Sequence, residues 1–328
     1  MRTFIASLPT MSRILIAEPE GFNPRAVELL RAHAEVVLSP TRGDGIARAL
    51  DEYDVVWLRL ATRISPALVR NAKRCRVIAT PVTGLDHIAV DECAARGMRV
   101  VSLRGETEFL KTIRATAELT IGLMLSIMRN IPAAHHDVLQ GHWNRDAFRG
   151  RELYGKSIAI IGAGRLGTLV ATYLRAFGAE VVGYDPRVDF PAEAMARASS
   201  LTEALRYADI VSMHVALNDT TANFFGADEF AAMKAGSYFV NTSRGGVVDE
   251  SALLHALRTG HLAGAAVDVV TGEPHVDATH PLVNAARSRA NLIVVPHIGG
   301  NTVESFEKTE LFLAGRVLTA LTELGLTQ

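Results

Sequence analysis

Residues 157–185, SIAIIGAGRLGTLVATYLRAFGAEVVGYD, constrain the fold of this chain more than any other stretch. An apolar run from Ser157 to Ile161 meets Gly162-Ala163-Gly164-Arg165-Leu166-Gly167. A helical pattern follows through Phe177, and a second apolar run ends in Asp185. A strand, a glycine turn, a helix and a returning strand make a β-α-β unit, which requires a parallel sheet. The same spacing suits a dinucleotide. Gly162 permits the turn off the strand, Gly164 lets the backbone approach a pyrophosphate, and Gly167 lets helix and strand pack closely. Arg165 and Leu166 open the helix, whose N–H groups and positive dipole end face the phosphates. Asp185, 18 residues after Gly167, stands where a carboxylate accepts both ribose hydroxyls and repels a 2′-phosphate. NAD is therefore expected over NADP, with Arg187 the residue most able to work against that preference. The plainer alternative is a glycine-rich turn in another kind of α/β protein.

Two strand–helix series run along the chain. The first opens with RILIAEP (Arg13–Pro19) and a helix on PRAVELLRAHA, then continues through EVVLSP, DVVWLRL, RVIATPV and RVVSL. The second starts at Ser157 and continues through VVGYD, DIVSMHV, SYFVNTS, LAGAAVDVV and NLIVVPH. Alternation of this kind predicts α/β architecture with two Rossmann-like domains, parallel sheets and a deep cleft between them. Runs that are apolar almost throughout belong to strands covered on both faces.

Between the series, Glu108 to Ile131 has helical spacing, and its apolar positions nearly encircle the second half. A helix apolar all round is buried on all sides. The reading is one helix that crosses between domains and pairs with a second subunit, giving a homodimer; the alternative buries it within one domain. The last helix, roughly 303–324, has no strand left to pair with in the second series and is expected to return to the first.

Bulk properties exclude other classes. At 328 residues, 48% hydrophobic and 21% charged, the chain is long and apolar enough for two cores. A net charge of −1 gives no footprint for nucleic acid or an anionic membrane. No apolar run reaches the roughly 18 residues that span a bilayer. Cys75 and Cys93 form neither a disulfide framework nor a metal spacing, so no metal is expected and a reducing cytoplasm fits. The leading MRTFIASLPT is short for a secretory signal, and Met11 is a second candidate start.

Polar residues at the ends of later strands carry the chemistry, because ligands of open α/β sheets collect at strand carboxyl ends. Arg244 follows SYFVNTS, Asp268 ends LAGAAVDVV with Glu273 five residues on, and His297 leaves NLIVVPH. A cation, a carboxylate and an imidazole at successive strand ends suit hydride transfer on a 2-oxo or 2-hydroxy acid. Taken singly, each has a plainer reading: Arg244 paired with Asp249 or Glu250, Glu273 in a turn before Pro274, His297 bonded to a carbonyl. Their joint placement argues against those.

Here the chain resembles the D-isomer-specific 2-hydroxyacid dehydrogenases nearly end to end. The matching segments are VTGLDHI, ATAELTIGLMLSIMRNIP, GHWNRDAFRGRELYGK, MKAGSYFVNTSRGGVVDESALLHAL, LAGAAVDVVTGEP, Pro281-Leu282 and PHIGGNT. The resemblance implies an NAD-dependent oxidoreductase with Arg244, Glu273 and His297 as its catalytic set. Arg244 would hold the substrate carboxylate and carbonyl oxygen. His297 would exchange a proton with the alkoxide, and Glu273 on its other ring nitrogen would favour imidazolium. It further implies cofactor contacts at His214, Val215, Thr242, Ser243, Arg244, Asp268, His297, Gly299 and Gly300, besides the glycine turn and Asp185. Substrate contacts fall at Thr83, Gly84 and Arg244. Residues 1–106 with 298–328 would form the substrate-binding domain and 107–297 the NAD-binding domain.

Several positions depart from the family pattern. TEFLKTIRATAE is a few residues longer than usual and adds Lys111 and Arg114 (a solvated helix start, or a grip on a second anionic group). Ala216 replaces the usual proline after His214-Val215, which is expected to loosen that turn. With Gln328 as the last residue, the regulatory extension of longer phosphoglycerate dehydrogenases is expected to be absent. Among substrates 3-phosphoglycerate ranks first, then hydroxypyruvate or glyoxylate, then another 2-oxo acid. A dinucleotide-sensing corepressor on the same fold, and a formate or phosphite oxidase, are the alternatives of other classes.

Overall fold

The computed structural model describes residues 11–187, 189–288 and 291–326. Residues 1–10, on which the choice between Met1 and Met11 turns, lie outside the described residues. The described chain forms two compact units, divided between Ile113 and Arg114 and again between Thr302 and Val303.

The first unit holds a five-stranded parallel sheet of β1 (Arg13–Ile16), β2 (Glu35–Leu38), β3 (Val55–Trp57), β4 (Val77–Ala79) and β5 (Arg99–Val101), ordered β2-β1-β3-β4-β5. Ile14 lies opposite Val36 on one side and Val55 on the other. Successive strand side chains point to opposite faces, and both faces are covered. Ile14, Ile16, Val55, Trp57 and Val77 join Leu313, Ala314 and Val317 of helix Val303–Glu323 in one core layer. Leu15, Val56 and Ile78 join Ile46, Leu50, Val69 and Cys93 in the other. Glu310, fully buried on that last helix, accepts the backbone N–H of Asn23 at 2.7 Å and pairs with Arg59. Arg59 also lies over the Phe306 ring, 4.4 Å from its centroid. Cys75 is buried and free, and burial pushes its thiol up to about 12.

The second unit holds a seven-stranded parallel sheet of β6 (Ser157–Ile161), β7 (Glu180–Tyr184), β8 (Ala196–Arg197), β9 (Ile210–Met213), β10 (Ser237–Asn241), β11 (Leu262–Val267) and β12 (Leu292–Val294). Their order is β12-β11-β10-β9-β6-β7-β8. Alternation again divides the side chains: Ile158, Ile160, Ile210 and Val240 face one layer, Ala159, Ile161, Val211 and Phe239 the other. Each such buried aliphatic side chain contributes about 1.5–3 kcal/mol. The chain runs β6-β7-β8 one way and then crosses to β9 and runs the other. This places the topological switch, and hence the ligand crevice, at the carboxyl ends of β6 and β9.

The single helix expected over Glu108–Ile131 is three: Thr107–Leu110, Ala115–Met128 and Ile131–Leu139. The first break falls where the Thr112 hydroxyl bonds back to the Phe109 carbonyl at 2.8 Å, offering the backbone an alternative to the next helical turn. At the second, Asn130 is left-handed (φ 54°) and Pro132 opens a new helix, since it has no N–H to extend the old one. The apolar circumference of Ala115–Met128 is buried by its own unit, with Ala117, Ile121, Met124 and Ile127 packed on Ile158, Ile160, Val170 and Leu174. Large exposed apolar side chains come just afterwards, at Ile131, Val138, Leu139 and Trp143, the last 87% exposed. β8 is a two-residue edge strand, too short for any periodicity in the sequence to reveal.

Candidate active site

Gly162 leaves β6 at φ 97°, which side-chain-bearing residues rarely adopt; a Cβ there would also lie 2.5 Å from the His214 carbonyl oxygen. At Gly167 a Cβ would meet the Gly162 oxygen at 2.1 Å. Gly162 is thus demanded by the close approach of the turn to the end of β9, and Gly167 by that of helix Arg165–Ala176 to the turn. Gly164 differs, since its nearest neighbour would be Arg187 Nη2 at 3.5 Å. Among the described residues no side chain caps this helix at Gly164, and the positive end of its dipole lies at the glycine turn.

Asp185 follows β7 and is buried. Its Oδ2 accepts the Ala163 N–H at 2.9 Å and Arg187 Nη2 at 2.6 Å; its Oδ1 accepts the Arg187 N–H at 3.0 Å and Nε at 2.9 Å. These bonds, the Arg187 side chain foremost, hold the carboxyl below its ordinary range. His214, just past β9, meets the Ser212 hydroxyl at 2.9 Å through Nε2, while its buried Nδ1 has no hydrogen-bond partner among the described residues. Burial depresses His214 to about 4. Val215 reaches the same turn, with Cγ2 3.2 Å from a Cβ built at Gly162. The Ala216 carbonyl accepts from the Thr221 hydroxyl at 2.7 Å, a side-chain brace on the turn that lacks proline.

At the end of β10, buried Asn241 folds the chain over itself. Its Oδ1 accepts the Ser243 N–H at 3.0 Å and hydroxyl at 2.7 Å, and its Nδ2 donates to the Arg244 carbonyl at 2.9 Å. Thr242 meets Thr120 of helix Ala115–Met128, hydroxyl to hydroxyl, at 2.9 Å. Arg244 Nη1 donates to the Ser243 carbonyl at 2.7 Å. Gly245 then packs on the backbone past β11, where a Cβ would lie 2.2 Å from the Val270 carbonyl carbon. Only glycine brings the Arg244 loop this close to the segment that leads to Glu273.

Asp268, past the end of β11, is 1% exposed and accepts the N–H groups of Ile298 at 2.6 Å and Gly299 at 2.8 Å. Burial raises it to about 6, against the pull of those bonds and of His297. The His297 N–H donates to the Asp268 carbonyl at 2.8 Å. These contacts over-determine a backbone in which His297 is left-handed (φ 53°), a conformation that costs a non-glycine residue about 1–3 kcal/mol. The result aims the imidazole at Glu273, with Nδ1 3.0 Å from Oε2 and both side chains partly exposed. Gly300 is exposed beside them.

Three residues to which the sequence assigns no role in the site complete this region, Glu250 having stood only as a possible ion-pair partner of Arg244. Glu250, first in helix Glu250–Arg258, accepts the Thr271 N–H at 2.6 Å and hydroxyl at 2.9 Å. His280 Nε2 lies 3.2 Å from the Thr271 carbonyl and 3.4 Å from Glu250 Oε2. Together they bracket the chain two residues before Glu273. Sequence order hides this bracket, because Glu250, Thr271 and His280 meet only through the packing of separate loops; the one hint is an acid directly after the capping Asp249.

Other candidates belong to other segments of the chain. Thr83 and Gly84 lie in the first unit on the loop after β4, where the Thr83 carbonyl accepts from Arg104 Nε at 3.3 Å. Lys111 forms an exposed pair with Glu108 at 2.8 Å, and Arg114 donates to the Tyr173 hydroxyl at 3.2 Å. Among the described residues no cluster of His, Cys, Asp and Glu could hold a metal ion, and no helix is long and apolar enough to cross a membrane.

A glycine turn, an uncapped helix and a buried carboxylate at a topological switch define a dinucleotide-binding α/β unit, and the unpartnered His214 Nδ1 beside the turn fits a site built to receive one. Residues 121–299 match the family model for the D-isomer specific 2-hydroxyacid dehydrogenase NAD-binding domain. The chain is 36% identical over 320 residues to the D-3-phosphoglycerate dehydrogenase of Mycobacterium tuberculosis, covering 96% of this chain and 57% of that protein. It is 30% identical over 316 residues to the hydroxypyruvate reductase of Thermotoga maritima, covering 95% and 99%. Among solved structures, a glyoxylate reductase from Paecilomyes thermophila superposes with a TM-score of 0.83 at 26% identity, covering 96% of each chain. The chain belongs to the D-isomer specific 2-hydroxyacid dehydrogenase family, and its second unit contains that family's NAD-binding domain. It spans a little over half the length of two phosphoglycerate dehydrogenases it matches, 57% of that of Mycobacterium tuberculosis and 58% of that of Methanocaldococcus jannaschii.

Proposed function

We propose that the protein is an NAD-dependent oxidoreductase that moves a hydride between nicotinamide and a D-2-hydroxy or 2-oxo acid. The observation that carries this reading is the His297–Glu273 pair, 3.0 Å apart, on a strand-end backbone held by Asp268. NAD(H), when bound, supplies or accepts the hydride. Glycine residues 162, 164 and 167, the helix start at Arg165 and Leu166, and Asp185 would hold its adenosine and phosphate half. His214, Val215, Thr242, Ser243, Asp268 and Gly299-Gly300 would lie along the rest.

This chain's residues handle the substrate and the proton. The Arg244 guanidinium binds the substrate carboxylate and carbonyl oxygen through charge-assisted hydrogen bonds, turning the carbonyl carbon toward the hydride. Because Nδ1 of His297 faces Glu273, Nε2 is the atom that gives a proton to the carbonyl oxygen on reduction and takes it back on oxidation. The Glu273 carboxylate holds Nδ1 and fixes the ring's orientation. Thr83 and Gly84 are proposed carboxylate contacts of the first unit on the family resemblance alone.

Phosphoglycerate and hydroxypyruvate reductase relatives both support a small anionic 2-oxo acid, with the oxidation product of 3-phosphoglycerate first and hydroxypyruvate or glyoxylate next. Two buried free cysteines are compatible with a reducing, cytoplasmic setting. We infer a homodimer, with the exposed apolar residues Ile131, Val138, Leu139 and Trp143 at its interface in place of the helix before them. The deciding experiment follows NADH oxidation against a panel of 2-oxo acids. Turnover of at least one, lost in His297→Ala, is expected; no turnover across the panel with NADH bound would overturn the enzymatic reading.

A further inference from the structure

Asp185 is already saturated. A carboxylate offers about four acceptor positions, and here all four are taken: one by the Ala163 N–H, one by the Arg187 N–H and two by the Arg187 guanidinium. Two ribose hydroxyls can bind Asp185 only if the guanidinium leaves. The Arg187 side chain is free to do so, being 63% exposed where that of Asp185 is 6% exposed. Its Nη2 already lies over the glycine turn, 3.5 Å from where a Cβ of Gly164 would stand.

A second guanidinium reinforces the same place. Arg197 Nη2 donates to the Asp185 carbonyl at 3.2 Å and to the Arg187 carbonyl at 2.7 Å, and its guanidinium lies 5.1 Å from the Phe190 ring centroid. Asp189 is the other acid close enough to act on Arg187. The adenosine end thus has Arg187 on the turn, the guanidinium of Arg197 reaching it from β8, and a carboxylate whose charge is internally paired, so its power to repel a 2′-phosphate is largely cancelled.

We propose that Arg187 is a specificity-determining residue that exchanges between Asp185 and a ligand 2′-phosphate, so that the protein accepts NADP(H) alongside NAD(H). With NAD(H), Arg187 turns outward and releases two acceptor positions for the ribose hydroxyls. With NADP(H), the same outward guanidinium meets the 2′-phosphate through charge-assisted, forked hydrogen bonds. The inference rests on the dinucleotide reading above.

The test uses binding of cofactor fragments, which needs no substrate and no turnover. Calorimetric titration compares 5′-AMP with adenosine 2′,5′-bisphosphate, and NADH with NADPH, on the full chain and on Arg187→Ala and Arg187→Gln. In the wild type the dissociation constants of NADH and NADPH are expected within about tenfold, and the bisphosphate should bind at least as tightly as AMP. Both variants should weaken bisphosphate and NADPH by tenfold or more while AMP and NADH are unchanged or tightened, one decade being about 1.4 kcal/mol. A wild type that binds NADH but takes NADPH more than a hundredfold more weakly would overturn the inference and leave the proposed function standing. So would variants that change both ligands equally. Failure of NADH and AMP to bind at all would overturn both.

Discussion

At the scale of single residues, the chemistry depends on a few side chains that the backbone holds in unusual states. His297 sits in a left-handed backbone because Asp268 takes three successive backbone N–H groups from residues 297–299, one through its carbonyl and two through its carboxylate. His297→Ala should lower turnover by about 10²–10⁴-fold with little change in NADH affinity, since it removes a positioned acid. Glu273→Gln removes the carboxylate that meets His297 Nδ1 at 3.0 Å and fixes the ring, so turnover should fall about tenfold or more with NADH affinity little changed; unchanged turnover would exclude a Glu273–His297 link. His214 makes a different prediction. Its ordinary value near 6.5 is depressed to about 4 by burial, so between those values the unfolded chain binds a proton the folded chain refuses. Stability should therefore fall as pH drops from about 6.5 toward 4, by at most about 1.4 kcal/mol per pH unit from this group. Denaturant titrations at several pH values should show a shallower fall in His214→Gln than in the wild type.

At the scale of elements, strand ends act as mounts and neighbouring elements as clamps. The Glu250–Thr271 bonds tie the start of one helix to the loop after β11, two residues from Glu273. Glu250→Ala should free that loop and lower turnover about tenfold or more, with KM for NADH little changed. Glu250→Gln keeps one acceptor and should recover part of the loss. A lowered melting temperature with turnover unchanged would exclude this positioning role. The glycine turn, both strand series and the strand-end positions of Arg244, Asp268 and His297 were legible in the sequence, because apolar runs and glycine spacing are local signals. The Glu250–Thr271–His280 bracket was not, since a polar residue on a loop carries no mark of which other loop it meets.

At the scale of the whole molecule, the apolar surface left over is the informative quantity. Helix Ala115–Met128 spends its apolar positions inside the second unit, and the exposed ones fall at Ile131, Val138, Leu139 and Trp143. Apolar patches of this kind are commonly closed by two-fold pairing. Light scattering at micromolar concentration should report about twice the chain mass of 35.4 kDa. Leu139→Glu together with Trp143→Ala should shift the mass toward one chain. A wild type that stays monomeric would exclude the dimer.

The sequence by itself determined the class of fold, because a period of two or 3.6 in apolar residues and a glycine turn of set spacing admit few architectures. It also determined the residues at the carboxyl ends of the strands, which follow directly from where the apolar runs stop. Three things were decided only by tertiary structure: the division of Glu108–Ile131 into separate helices, the bracket on Thr271, and the occupation of Asp185 by Arg187. Each depends on competition between partners for the same backbone group, carboxylate or apolar face, and that competition exists only once distant segments are brought within a few ångströms of one another.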